Sequence, residues 1–208
     1  MARSYTLGRR AERQADTRRR IVEAAVELHG SIGPALTTLS MVAERAGVQR
    51  HTLYAHFPDE RSLHLACSGL ALERDPLPDA RAWQAVPDRR ERLRLGLRAI
   101  YDWYARNADL AACVLRDGEY HALTREMIEL RMAPPMRTCS EVLGATLNPE
   151  QRALLQVMLG FFAWRSLVRE SGLEQGAAVN TAVQAIESVE PGKAGIATEV
   201  DGTSMPGE

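Results

Sequence analysis

Two hundred and eight residues, 45% of them hydrophobic and 25% charged, are enough to bury a real core, in one large domain or in a small one joined to a larger one. No apolar run approaches the roughly 18 residues that a membrane-spanning helix needs, and the N-terminus lacks the apolar segment of a signal peptide, so a soluble cytoplasmic protein without a membrane partner is expected. Cys67, Cys113 and Cys139 are an odd set without CxxC spacing, which points away from a disulfide framework and a zinc site and towards idle buried thiols.

The first twenty residues hold seven arginines against two acids and carry +5, which leaves −6 for the rest of a chain whose total is −1. Such a segment, residues 1–15, is expected to form a flexible basic arm suited to phosphate. The periodicity beyond it is helical almost throughout, so an all-α protein follows. A first helix is expected to start at Asp16 as N-cap, to place Ile21, Ala25, Leu28 and Ile32 on one face and to stop at Gly33-Pro34. A second short helix is expected from about Thr38 to Ala46, ended by Gly47, which alone turns cheaply into the left-handed region. A third covers about Val48 to His56, and a fourth begins after Pro58-Asp59 and runs past Leu72.

Pro76, Pro78 and Pro87 then forbid a continuous helix and put a domain junction there or just before. Asp88 can cap a long helix whose stripe of Leu93, Leu97, Ile100, Tyr101 and Tyr104 faces a core. Helices are expected at about 109–116 and 119–146, the latter kinked or broken at Pro134-Pro135. Asn148, Pro149 and Gln151 form a well-made helix start, with the residues of a capping box. The run ALLQVMLGFFAWRSLV that follows is apolar nearly all round and has to be covered on two sides. A last helix, about 174–189, is rich in small residues, so the two C-terminal helices suit a four-helix homodimer interface. The tail from 190 to 208 has no periodicity and is expected to be disordered.

Ala43, Gly47 and Leu53 fall at the offsets of a helix-turn-helix: a small residue at the crossing, a glycine in the turn and an apolar anchor on the second helix. From Ile21 to Leu63 the chain resembles the TetR family of bacterial transcriptional regulators. The likeness is carried by Gly33 and the TTLS-x-VA run to residue 43, by AGV at 46–48, TLYAHF at 52–57 and PD-x-x-SL at 58–63. The resemblance implies a homodimer with a three-helix DNA-binding head, residues 16–60, and a helical-bundle body, residues 61–189, for ligand binding and dimerisation. Double-stranded DNA and a small-molecule effector are the implied partners, with no metal, cofactor or catalytic residue.

Thr38 can offer a hydroxyl and a helix start to a phosphate. By the resemblance, Thr52, Tyr54 and His56 stand where relatives touch phosphates or bases. Gln49, Arg50 and His51 open the third helix, where Arg50 can pair bidentately with guanine and Gln49 with adenine. Several positions depart from the family pattern. Glu60 replaces a common phosphate-holding Lys and should repel the backbone unless it turns away to cap the fourth helix, a loss for which the basic arm would compensate. His51 replaces a common Gly, His29 a frequent Phe and Pro34 a frequent Tyr, the last two suggesting a locally altered core.

The resemblance puts a ligand cavity in the body, with Tyr101, Tyr104, Met127, Met158 and Phe162 as candidate linings for a largely apolar effector whose polar group would meet Arg116, Asp117 or Tyr120. The expected function is a ligand-responsive regulator, by default a repressor on a near-palindromic operator. The other readings are a sequence-nonspecific architectural DNA binder and, more remotely, a thiol enzyme built on Cys113, Glu119 and His121.

Overall fold

The structure is a computed structural model that describes residues 2–191, so most of the tail, residues 192–208, lies outside the described residues. The fold is all-α, with no strand among the described residues. The first helix, α1 (Ala2–Ser31), starts well before Asp16 and corrects the expectation of a flexible arm. The segment before Asp16 has no proline and is mostly good helix formers, so nothing local stops helical propagation. Asp16 lies inside the helix instead of capping it, 3.1 Å from Arg19 and 3.8 Å from Arg20 on its own face.

A 3-10 turn (Pro34–Leu36) leads into α2 (Leu39–Arg45), whose first turn is capped by Thr38 Oγ1 accepting from Met41 N at 3.2 Å. Gly47 turns the chain at φ 64° into α3 (Arg50–His56), and α4 (Glu60–Arg74) follows. Asp59 caps α4 by accepting from Ser62 N at 2.7 Å; the capping role considered for Glu60 belongs to its neighbour, and Glu60 stays exposed. Ile21, Ala25, Val42, Ala43, Leu53 and Phe57 form the head core, which Leu63 and Cys67 of α4 complete. The Arg18 guanidinium lies 4.2 Å from the centroid of the Phe57 ring, so part of the basic segment covers this core.

The body begins with the short α5 (Arg81–Gln84) and with α6 (Arg89–Arg106), capped by Asp88. Then come α7 (Ala108–Gly118), α8 (Ala122–Arg131) and α9 (Ala133–Gly144), the last two divided just before Pro134-Pro135. Asn148 and Gln151 make the reciprocal capping box that starts α10 (Pro149–Leu159). The apolar run is not one helix. Gly160, at ψ 143°, breaks it into α10 and α11 (Phe161–Arg165), followed by a π-helical turn (Ser166–Glu170). The hydroxyls of Tyr101 and Tyr104 donate to the carbonyls of Met158 and Leu159, at 3.0 and 2.8 Å, which the break deprives of helical partners. The last helix, α12 (Gln175–Ser188), packs on α6 and α10 and buries Ala178, Val179, Ala182, Val183 and Ile186.

Candidate nucleic-acid interface and junction cavity

The seven residues of α3 divide by angle into three strips. Leu53 is buried in the head core, Thr52 and His56 are half-buried beside it, and Arg50, His51 and Tyr54 are exposed on the far side. Gln49, also exposed, is the residue before the helix and does not cap it with its side chain. Four of the residues expected to meet DNA thus share one solvent-facing surface, with Thr38 exposed at the start of α2. Thr52 and His56 sit on its shoulder. Ala55 is exposed on the same arc and escapes sequence reasoning, where a lone alanine carries no polar signal; its methyl group suits a thymine methyl.

A second feature lies where the head meets the body. A cavity of about 90 Å³ is walled by α1 and α4 on the head side and by α6, α7 and α8 on the body side. Val26, Leu110, Val114, Met127 and Ile128 give it an apolar surface, and His29, Pro34 and His64 share the wall. Of the five residues expected to line a ligand site, only Met127 is there. Tyr101 and Tyr104 are buried in the body core, with their hydroxyls engaged at the α10 break, and Met158 packs against that core. Phe162 faces outward, with its ring 5.2 Å from the Arg165 guanidinium. Helical spacing finds a core stripe, but it cannot tell which part of the core is left unfilled. His29 and Pro34, two of the four positions that depart from the family pattern, both border the cavity.

Two histidines on its wall are held neutral. His29 and His64 have ring centroids 4.8 Å apart, with His121 6.2 Å from His64. Burial, with His64 close by, lowers the pKa of His29 to about 3, and burial also lowers that of His64. Across the pH range between 6.5 and about 3 the unfolded chain binds a proton at His29 that the folded chain refuses, so stability falls with pH there.

Next to the cavity the head is tied to the body by Asp117, whose side chain is fully buried. Its carboxylate accepts from Ala35 N of the 3-10 turn at 2.9 Å, from the Tyr120 hydroxyl at 2.8 Å and from Arg116 Nε at 2.8 Å. Burial works to raise its pKa, but these donors outweigh it and leave the pKa below the ordinary 3.8. Arg116 also donates to Ile32 O at 3.1 Å. Arg116, Asp117 and Tyr120, expected to meet the polar part of a ligand, are instead committed to one another and to the head. A second tie joins Arg61 of α4 to Glu126 of α8 at 2.7 Å. The thiol constellation does not assemble: Cys113 Sγ donates to Gly30 O and the His121 ring bonds Thr124 Oγ1 at 2.7 Å.

Residues 21–67 match the family model described as bacterial regulatory proteins, tetR family. The HTH-type transcriptional regulator SrpR of Pseudomonas putida is 38% identical over 77 residues, covering 34% of this chain and 36% of that protein. The uncharacterized HTH-type transcriptional regulator TtgW, also of Pseudomonas putida, is likewise 38% identical over 77 residues, covering 34% of this chain and 58% of that protein. The match therefore spans between about a third and three fifths of the length of these curated relatives. A solved structure of a linker-substituted HlyIIR mutant is alike over 83% of this chain and 97% of its own, with a TM-score of 0.62 at 14% identity, a likeness of fold alone.

Proposed function

We propose that the chain, whose residues 21–67 match the tetR family of bacterial regulatory proteins, is a dimeric repressor of that type, released from its operator by a small, largely apolar effector. The observation that carries this reading is the surface of α3: Gln49, Arg50, His51 and Tyr54 stand exposed together beside a helix-turn-helix core, while Leu53 holds the helix down. Arg50 reads guanine, Gln49 adenine, and Thr38, Thr52, Tyr54 and His56 hold phosphate or neighbouring base edges.

Two further features support the reading. Ala153 and Val157 on α10, with Ala177 and Thr181 on α12, form neighbouring exposed stripes of apolar and small residues, and Phe162 lies exposed beyond the break; a second copy would cover them. The junction cavity touches both head and body, so an occupant that favours another arrangement of α1 and α4 shifts the population away from the DNA-binding state.

Selection of bound sites from random DNA by the purified chain tests this. A two-fold symmetric motif with half-sites spaced by about one turn, roughly 34–36 Å, is expected, and absence of enrichment would count against a specific regulator and in favour of an architectural binder. On the recovered site Arg50→Ala should weaken binding by about ten- to a hundredfold and relax preference at one base position in each half-site. A uniform loss across all sequences would reduce Arg50 to a phosphate contact.

A further inference from the structure

Several polar groups on the cavity wall have partners, while Arg131, an exposed residue, contributes a cation to it. Ser68 donates to Leu65 O, the Asn107 amide to Asp75 and Trp103, and Thr124 Oγ1 meets the His121 ring. His29 Nδ1 lies 3.5 Å from Cys67 Sγ. His64 is 6% exposed, and its Nε2 is buried with no hydrogen-bond partner. Its other nitrogen, Nδ1, is 2.9 Å from Glu60 O, one turn back along α4. A carbonyl only accepts, so Nδ1 carries the ring proton and Nε2 presents a bare lone pair. Burial keeps the ring neutral, so the lone pair stays available at neutral pH.

A buried acceptor without a donor destabilises the state that contains it, and an occupant that supplies the donor removes that cost. Apart from Arg131 and the partnered groups, the remaining wall is apolar and suits a largely apolar ligand. We propose that the cavity selects a compact, largely apolar molecule bearing one O–H or N–H donor, with that donor on His64 Nε2, so that His64 determines effector specificity.

This rests on the junction cavity being the effector site, and the test separates the two claims. Phenol and toluene share a ring and nearly a volume but differ in the donor. Each is titrated by calorimetry into the full chain, as wild type, as His64→Phe, which keeps a ring without the nitrogen, and as His64→Gln, which restores an acceptor; thermal melts establish that each variant folds. Phenol is expected to bind wild type at least about tenfold more tightly than toluene, with the ratio falling to about one in His64→Phe and partly returning in His64→Gln. Equal binding of the two by wild type, or a ratio that survives His64→Phe, overturns the donor requirement and leaves the cavity as effector site. Binding of neither overturns both.

Discussion

Gly33→Ala is expected to lower the free energy of unfolding by about 4 kcal/mol, with an unchanged denaturant slope. Two effects add. Gly33 sits at φ 100° and ψ 154°, a region open essentially to glycine, where a Cβ costs about 1–3 kcal/mol. The added carbon would also collide with the Arg116 guanidinium and the Asp117 carboxylate, neither of which is free to swing away. Gly47→Ala supplies the control. Its φ of 64° is also positive, but a Cβ there meets nothing within 4 Å, so only the backbone cost of about 1 kcal/mol is expected. Equal losses at the two sites would show that crowding against Asp117 contributes nothing.

Asp117→Ala is expected to cost about 3 kcal/mol, because it leaves the Ala35 N–H, at a half-buried position, without its acceptor and strips Arg116 and Tyr120 of theirs. The loss should depend on pH in a particular way. The folded pKa lies below 3.8, so the stability contributed by the charge is present above that value and disappears as pH falls through the folded pKa. His29 makes wild type and variant alike less stable between pH 6.5 and about 3. The gap between the two chains should therefore stay constant down to about pH 5 and close only in stronger acid. A gap that narrows near pH 6 would assign the effect to the histidines. If the tie transmits signal as well as stability, the variant's DNA affinity should also respond less to an effector, which a titration on the selected operator measures.

The parts of this molecule that are legible in the sequence are those set by a few neighbouring residues. Thr38, Asp88 and the Asn148–Gln151 box announce helix starts, and Gly47 announces a turn, because each satisfies or redirects backbone groups within one turn of itself. The same local logic misleads at Asp16, a good cap in isolation that helix-forming residues on its N-terminal side absorb into α1. Gly160 gives no warning, because an isolated glycine inside an apolar run does not say whether the helix survives it. The cavity is out of reach altogether. Its wall joins Val26 to Met127 across about a hundred residues of sequence, and an unfilled space is a property of packing rather than of any residue in it. His29 and Pro34 carry the available hint, as two unusual residues on either side of one turn.

The break at Gly160 has a bearing on how the C-terminal half moves. An interrupted helix is ordinarily a place to bend, but here both liberated carbonyls are claimed by tyrosines from one face of α6, three residues apart. Bending would have to give up two buried hydrogen bonds at once, so the interruption is a fixed corner rather than a hinge. The exposed stripe on α10 and the outward Phe162 beyond the corner are thereby held at a constant angle to each other. Whatever docks there meets a surface whose angle is set by the two tyrosine bonds from α6.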